Sequence, residues 1–383
     1  MDFLEKLQCV KEDNHLVGMS VVSYQNNEFK DYYLGEAYEN YKMHAGVYYR
    51  IASISKVVVA TGILCLYEEG KVDLDEDISK YLGFTLRNPN HPNDIITLKM
   101  LMTQTSSITD GFDDEEMTND ERIDGYNGVN RKGIDCKLED LLINKDSKYY
   151  SDLTFAKYAP GTRFCYSNFG CGILACIIER VTKISYDEYL NQKIFSKLNI
   201  KASFYPNKLV DEEIISAYNF FGGKKELCRN KELFISKMMQ EEIGQNYRGP
   251  AGGLFIKPKD LALFMKSLTE NDGVILSKET RDLMLNKIWS ITNEKRLAEF
   301  DYYGSYQAKG LQVAIWERDN HVLYGHTGSA YGVRTIMAFD PVKKAGLIFM
   351  TNGGIYKTAP SGFAGCIEDT LKVWENTIYD EEI

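Results

Sequence analysis

Ser53 and Lys56 stand three residues apart in the stretch Arg-Ile-Ala-Ser-Ile-Ser-Lys-Val at 50–57. That spacing places both side chains on one face of a helix, one turn apart. An apolar run, 57–67, follows, so Ser53 reads as the start of a buried helix. A hydroxyl there meets the positive end of the helix dipole and the open N–H groups of the first turn. Those N–H groups can also hold an oxyanion. A lysine beside it takes the serine proton once burial or a second cation brings its pKa from ~10.4 towards ~7–8. The pair therefore suits nucleophilic acyl chemistry. Two plainer readings compete: serine is a common helix N-cap, and Ser-x-x-Lys occurs by chance about once in a chain of this length. What accompanies the pair decides between them.

Two further clusters accompany it. Tyr166 and Asn168 lie in Phe-Cys-Tyr-Ser-Asn-Phe-Gly, 164–170, between the turn Pro160-Gly161 and an apolar helix. Tyr-x-Asn alone is weak, since Tyr24-Gln-Asn26 and Tyr38-Glu-Asn40 share it. At the mouth of a core helix, a tyrosine whose pKa is lowered by Lys56 can act as a general base or pass protons. Asn168 can bond a substrate amide. The third cluster is Tyr-Gly-His-Thr-Gly-Ser-Ala-Tyr-Gly, 324–332. It is expected to end one strand and turn into the next. Its glycines permit close backbone approach, and the Ser329 N–H would be a second oxyanion donor. An ordinary turn is the alternative for His326-Thr-Gly.

These residues need a frame to bring them together. The stretch 16–24 is apolar and β-branched, 25–27 turns, and 29–34 returns, which predicts two strands. Helices are expected over 98–105, 136–143, 168–182, 186–198, 258–270 and 362–379. Strands at 311–317, 321–325, 333–339 and 345–351 predict an antiparallel meander. Strands at both ends suggest one sheet built from both termini. A single catalytic domain is expected, with an α/β part from 1–82 and 301–383 and a helical-rich insertion over 83–300.

Composition narrows the classes. The chain has 383 residues, ample for a large core. Its net charge of −10, with no Lys/Arg cluster, speaks against nucleic acid as a partner. The run 57–67 is too short for a membrane span. The N-terminus carries charge where a secretory apolar region would lie, so it predicts a short amphipathic helix and a cytoplasmic protein. Eight cysteines without CxxC or paired Cys/His spacing predict free thiols and no metal site. The acid-rich run 110–124, from Asp110 to Asp124 with Arg122 as its one base, is expected as a solvated loop. A rim that draws cationic substrates is the sharper reading.

In this order the three clusters resemble the serine β-lactamase/DD-peptidase superfamily, nearest its branch of class C β-lactamases, D-aminopeptidases and esterases. Its motifs are Ser-x-x-Lys, Tyr-x-Asn and Lys/His-Thr/Ser-Gly. Ile-Thr-Leu-Lys-Met-Leu-Met-Thr-Gln-Thr-Ser at 96–106 is similar to the family's "ITLRHLLTHTSG" helix. Tyr158-Ala-Pro-Gly-Thr-Arg-Phe resembles its "PGxxFxYSN" lead-in, and 249–262 its "AGGLxSTxxDLARF" stretch. The resemblance implies an α/β (α+β) fold: a five-stranded antiparallel sheet flanked by helices, plus a mainly helical subdomain. It implies Ser53 as nucleophile, Lys56 as its proton partner, Tyr166 as general base and Asn168 as holder of the substrate amide. His326, Thr327, Gly328 and Ser329 would face the substrate, with the N–H groups of Ser53 and Ser329 as oxyanion hole. Whether Tyr166 or Lys56 is the base in each half-reaction stays open, because the two can titrate as a pair. The reaction implied is acyl transfer through an acyl-enzyme, then hydrolysis, with no metal and no cofactor.

Two positions depart from the pattern. His326 stands where class C β-lactamases have lysine, and an imidazole with pKa ~6.5 is largely neutral at pH 7 unless acids raise it. Carboxylate anchoring is then weaker. The expectation becomes a D-aminopeptidase-, carboxypeptidase- or esterase-like hydrolase of small amides, short peptides or esters, with at most weak β-lactamase activity. A penicillin-binding or sensor-type protein, acylated with little turnover, is the alternative. Ser107 is the second departure, where the family usually has glycine.

Overall fold

The structure is a computed structural model and describes residues 1–111, 121–238, 240–291 and 305–379. The chain forms two compact units. One holds Met1–Val57, Ile194–Met239 and Gly252–Ile383, the other Val58–Lys193 and Gln240–Ala251.

The first unit opens with a helix, Phe3–Asp13, started by a capping box between Asp2 and Glu5. Its strands are β1 (Gly18–Gln25), β2 (Glu28–Tyr38), β3 (Tyr41–Lys42), β4 (Tyr49–Arg50), β5 (Ala217–Phe221), β6 (Lys224–Arg229), β7 (Phe255–Ile256), β8 (Trp289–Ser290), β9 (Ala308–Lys309), β10 (Ala314–Glu317), β11 (Val322–Ala330), β12 (Val333–Asp340) and β13 (Ala345–Thr351). Among the described residues nine of them form one sheet, in the order β3-β2-β1-β13-β12-β11-β10-β9-β8. All its pairings are antiparallel, and β1 against β13 joins the two ends of the chain.

The expected five strands are therefore too few. Three of the four extra strands, β3, β8 and β9, have two residues each, too few to show a period of two. β12 and β13 are buried almost throughout, so they read as apolar runs rather than alternating ones. The helix Pro258–Glu270 packs on β1, β12 and β13, and the helix Gly365–Ile378 packs on β12, β13 and the N-terminal helix.

In the second unit the helix Asn168–Thr182 is buried from Phe169 to Glu179. The short helices Leu98–Thr103, Gly125–Lys132, Leu138–Leu142 and Tyr186–Leu190 accompany it. The helix expected over 186–198 breaks after Leu190 into π and 3₁₀ turns. The Glu179 carboxylate accepts from the backbone N–H groups of Gly244 (2.6 Å) and Tyr186 (3.1 Å) and from Asn246 Nδ2 (2.9 Å). A buried carboxylate is tolerable only when so satisfied. It ties the segment 240–251 to the long helix. Tyr126 stacks on Phe169 at 5.0 Å, and Tyr247 meets the same ring edge-on.

Among the described residues no helix is long and apolar enough to cross a membrane, no cysteine is in a disulfide, and no cluster of His, Cys, Asp or Glu could hold a metal ion. Of the acid-rich run 110–124, residues 112–120 lie outside the described residues.

Candidate active site

Ser53 sits in a 3₁₀ turn, Ala52–Ile54, that runs straight into the helix Ser55–Glu68. Ala52 is left-handed, with φ 49°, a conformation that costs a non-glycine residue energy and clusters at functional sites. The turn has no side-chain cap, so Ser53 is not a helix N-cap. Its Oγ instead accepts a 3.0 Å hydrogen bond from Lys56 Nζ. Lys56 is wholly buried. The structural serine is its neighbour Ser55: that hydroxyl donates to Ala52 O (2.6 Å) and accepts from Leu254 N (3.1 Å).

The segment 252–256 holds this turn from one side. Arg50 Nε donates to Gly252 O (2.8 Å), Ile51 N donates to Leu254 O (2.9 Å), and β4 pairs with β7. β11 and β12 hold it from the other. Thr335 Oγ1 donates to Ile51 O at 3.0 Å. Gly328 passes so close that a Cβ there would collide with both Ile51 O and Thr335 Oγ1. This contact explains the glycine of His326-Thr-Gly, and it brings Thr327, Gly328 and Ser329 alongside Ala52. The strand expected to end at Gly325 is longer: β11 continues to Ala330, and the turn into β12 is Tyr331-Gly332. Gly325, at φ 152°, lies where a Cβ would strike Met337 O.

At the turn, Tyr331 lies under two guanidiniums, with Arg50 at 4.7 Å and Arg229 at 4.4 Å from its ring centroid. The positive charge of Arg50, then burial against it, leaves the Tyr331 phenol below its ordinary pKa.

His326 is wholly buried. Its Nδ1 is 2.6 Å from Thr327 O. A carbonyl only accepts, so Nδ1 carries the proton. Burial, then the ammoniums of Lys309 and Lys56, hold the imidazole well below its ordinary pKa. The imidazole, expected to be largely neutral at its ordinary pKa, is held further to the neutral side by burial first and by these cations second. Lys309, on β9, is missing from the sequence-predicted set because a two-residue strand leaves no pattern.

Tyr166 and Asn168 lie in the second unit. Ser167 caps the helix Asn168–Thr182 by accepting from Gly170 N at 2.9 Å. The Asp110 carboxylate takes Ser167 Oγ (3.0 Å), Asn168 Nδ2 (2.7 Å) and Phe169 N (2.8 Å). An acid at a helix N-terminus is favoured by the dipole. Desolvation nevertheless raises the Asp110 pKa, against the pull of these donors. Asp110 was expected in a solvated loop; here it is the anchor of Asn168, a role fixed by contacts 58 residues apart. Gln104 supports the same junction, accepting from Ser167 N through its side chain (2.8 Å) and from Cys165 N through its carbonyl (2.7 Å). Ser107 has φ 61°, a left-handed backbone that glycine adopts freely, which accounts for the glycine usual at this position.

A family model, Beta-lactamase, matches residues 5–360. Protein flp of Staphylococcus aureus (strain N315) is 28% identical over 198 residues, 49% of this chain and 35% of that protein. Penicillin-binding protein 4* of Bacillus subtilis (strain 168) is 24% identical over 176 residues, 45% of this chain and 34% of that protein. The alignments thus span about a third of the length of these curated relatives. Among solved structures, D-amino acid amidase from Ochrobactrum anthropi SV3, complexed with L-phenylalanine amide, superposes with a TM-score of 0.73 at 21% identity, covering 98% of this chain and 99% of that one. The octameric penicillin-binding protein homologue from Pyrococcus abyssi gives 0.72 at 23%, covering 100% and 81%. These structures share the fold. With a family model covering nearly the whole chain, and with Ser53 and Lys56 bonded at the head of a buried helix, the chain belongs to the Beta-lactamase family.

Proposed function

We propose that the chain is a serine hydrolase that works through an acyl-enzyme on small amide, peptide or ester substrates. The observation that carries this reading is the 3.0 Å bond from Lys56 Nζ to Ser53 Oγ, with the lysine fully buried. A serine with a structural duty would bond backbone, as Ser55 does. Ser53 Oγ attacks the substrate carbonyl, and its proton passes to a base, for which Lys56 and Tyr166 are the candidates. The N–H groups of Ser53 and Ser329 receive the oxyanion. Asn168, held by Asp110, bonds the substrate amide. Thr327 and Gly328 line the path of the acyl group, and water then releases the product.

Small amides are the first substrates to test, because a solved structure of the same fold is a D-amino acid amidase. Incubation with a panel of amino-acid amides and p-nitrophenyl esters should show turnover in the wild type. Ser53→Ala and Lys56→Ala should each lower it by at least about 10³-fold, the scale set by loss of a nucleophile or its base. A folded Ser53→Ala variant with wild-type turnover would sink the reading. A stable adduct without turnover would instead make the protein an acylated sensor.

A further inference from the structure

β11 has a second face beside the site. Gly328 presses on Ile51 O, so Thr327 and Ser329, one residue to either side, face the other way. Arg334 stands opposite Ser329 in the pairing of β11 with β12, and opposite residues of an antiparallel pair share a face. There they line a cavity of about 240 Å³, together with Tyr356, Lys357 and Ala364 at the start of the helix Gly365–Ile378. The loop between β13 and that helix is pinned. Gly365 N donates to Lys357 O (2.7 Å), Ala359 N donates to Phe363 O (2.8 Å), and Tyr356 Oη donates to Gly332 O (2.6 Å) at the β11–β12 turn. All of these residues belong to the first unit.

The lining favours one sign of charge. The chain carries a net charge of −10, yet the described residues that line the cavity include two cations, Arg334 and Lys357, and no acid. The Arg334 guanidinium lies over the Tyr356 ring, 4.5 Å from its centroid, and its Nη1 donates to Val333 O (3.0 Å). Its Nε and Nη2 make no hydrogen bond. A guanidinium whose plane is fixed by stacking presents a fork that matches a planar carboxylate. The hydroxyls of Thr327 and Ser329 are further donors. The helix begins on Ala364, which has no side chain to cap it, so its positive end adds to the same sign.

We propose that this cavity is a carboxylate site, with the Arg334 fork as its main holder, Lys357 at its rim and the Thr327 and Ser329 hydroxyls as further donors. The carboxylate belongs either to the substrate itself or to a separate small acid bound behind β11; the chemistry of recognition is the same. The first case makes Arg334 a specificity-determining residue and rests on the hydrolase reading. Binding of the carboxylate does not.

The binding test titrates the full chain with succinate and follows the backbone amide resonances of Ser329 and Thr358. In the wild type they should shift and saturate, while succinamide, the neutral analogue, should leave them unmoved. Arg334→Gln should weaken succinate binding by at least about 10-fold, the scale set by loss of a charged hydrogen-bond partner. Lys357→Glu, which puts an acid at the rim, should weaken it too; its exposed side chain carries the test where Arg334→Gln does not fold. The kinetic test compares the p-nitroanilides of succinic and butyric acid with an acetyl anilide whose ring bears a carboxylate. A carboxylate that belongs to the substrate gives one acidic anilide a KM at least about 10-fold below that of the butyric one, a gap that Arg334→Gln closes. A separate acid instead leaves the KM values alike while succinate changes turnover of the butyric anilide. Alike KM values with no effect of succinate overturn the link to the reaction. No saturable shift with succinate, or equal affinity in wild type and Arg334→Gln, overturns the site itself. Fluorophosphonate labelling of the wild type keeps the two readings apart: no label at Ser53 refutes the hydrolase, while the titration still decides the cavity.

Discussion

Gly328 and Ile51 approach so closely that no side chain fits at position 328. The strand carrying His326-Thr-Gly is thereby pressed against the residue two before Ser53, and Thr335 bonds the same Ile51 carbonyl at 3.0 Å. Gly328→Ala should force β11 away. Overpacking of this kind costs about 1–3 kcal/mol, which urea denaturation reads directly. The rate of fluorophosphonate labelling at Ser53 should fall as well. A variant that labels at the wild-type rate would show that this contact does not shape the site.

Ser53 and Ser55 should behave as opposites. Ser53→Ala removes an acceptor from Lys56 and should abolish labelling with little change in stability. Ser55→Ala leaves Leu254 N without its buried acceptor and should cost about 1–3 kcal/mol while Ser53 still labels. If Ser55→Ala were the one to lose labelling with stability intact, the assignment of nucleophile would be reversed.

Asp110 should act through Asn168. In Asp110→Ala the amide of Asn168, Ser167 Oγ and Phe169 N all lose their acceptor. Destabilisation of about 1–3 kcal/mol and a rise in KM for amide substrates are expected. Asp110→Asn can keep one acceptor, so it should fall between the two. Equal KM values in all three proteins would separate Asp110 from substrate binding.

The depressed pKa of His326 has a consequence for stability. Between its ordinary pKa of about 6.5 and its lower folded value, the unfolded chain takes up a proton that the folded protein refuses. Stability should therefore fall as pH drops below about 6.5, by up to about 1.4 kcal/mol per pH unit from this group. His326→Gln lacks that contribution. The urea midpoint should therefore drop less between neutral and mildly acid pH in the variant than in the wild type. Identical slopes would mean that His326 titrates normally in the folded state.

Much of the frame was legible in the sequence, for identifiable reasons. The helix Asn168–Thr182 carries an apolar run with a serine cap, and the helix Pro258–Glu270 starts on a proline at its first turn. Both were expected at these bounds. The hairpin β5–β6 was missed, although Gly222-Gly223, both with positive φ, marks the tight turn. β8 and β9 gave no signal because two residues cannot show periodicity. β11 runs past its expected end at Gly325, and the close backbone approach expected of its glycines is made by Gly328 against Ile51 O.

The site divides the same way. Ser53, Lys56, Tyr166, Asn168 and His326 stood out by residue type and spacing. Asp110, Ser55 and Lys309 did not, because their surroundings are set by residues distant in the chain. Asp110 was further hidden by its acidic neighbours, and Lys309 by burial that no local pattern announces.

The central claim is that Ser53, activated by Lys56, is acylated. Intact-mass spectrometry after incubation with a fluorophosphonate and with a penicillin, followed by peptide mapping, tests it directly. A single adduct on Ser53 is predicted with the fluorophosphonate, absent in both Ser53→Ala and Lys56→Ala. With the penicillin, an adduct that decays means turnover and one that persists means a slow second step. A folded wild type that takes no adduct from either reagent, or takes it at a residue other than Ser53, would contradict the claim.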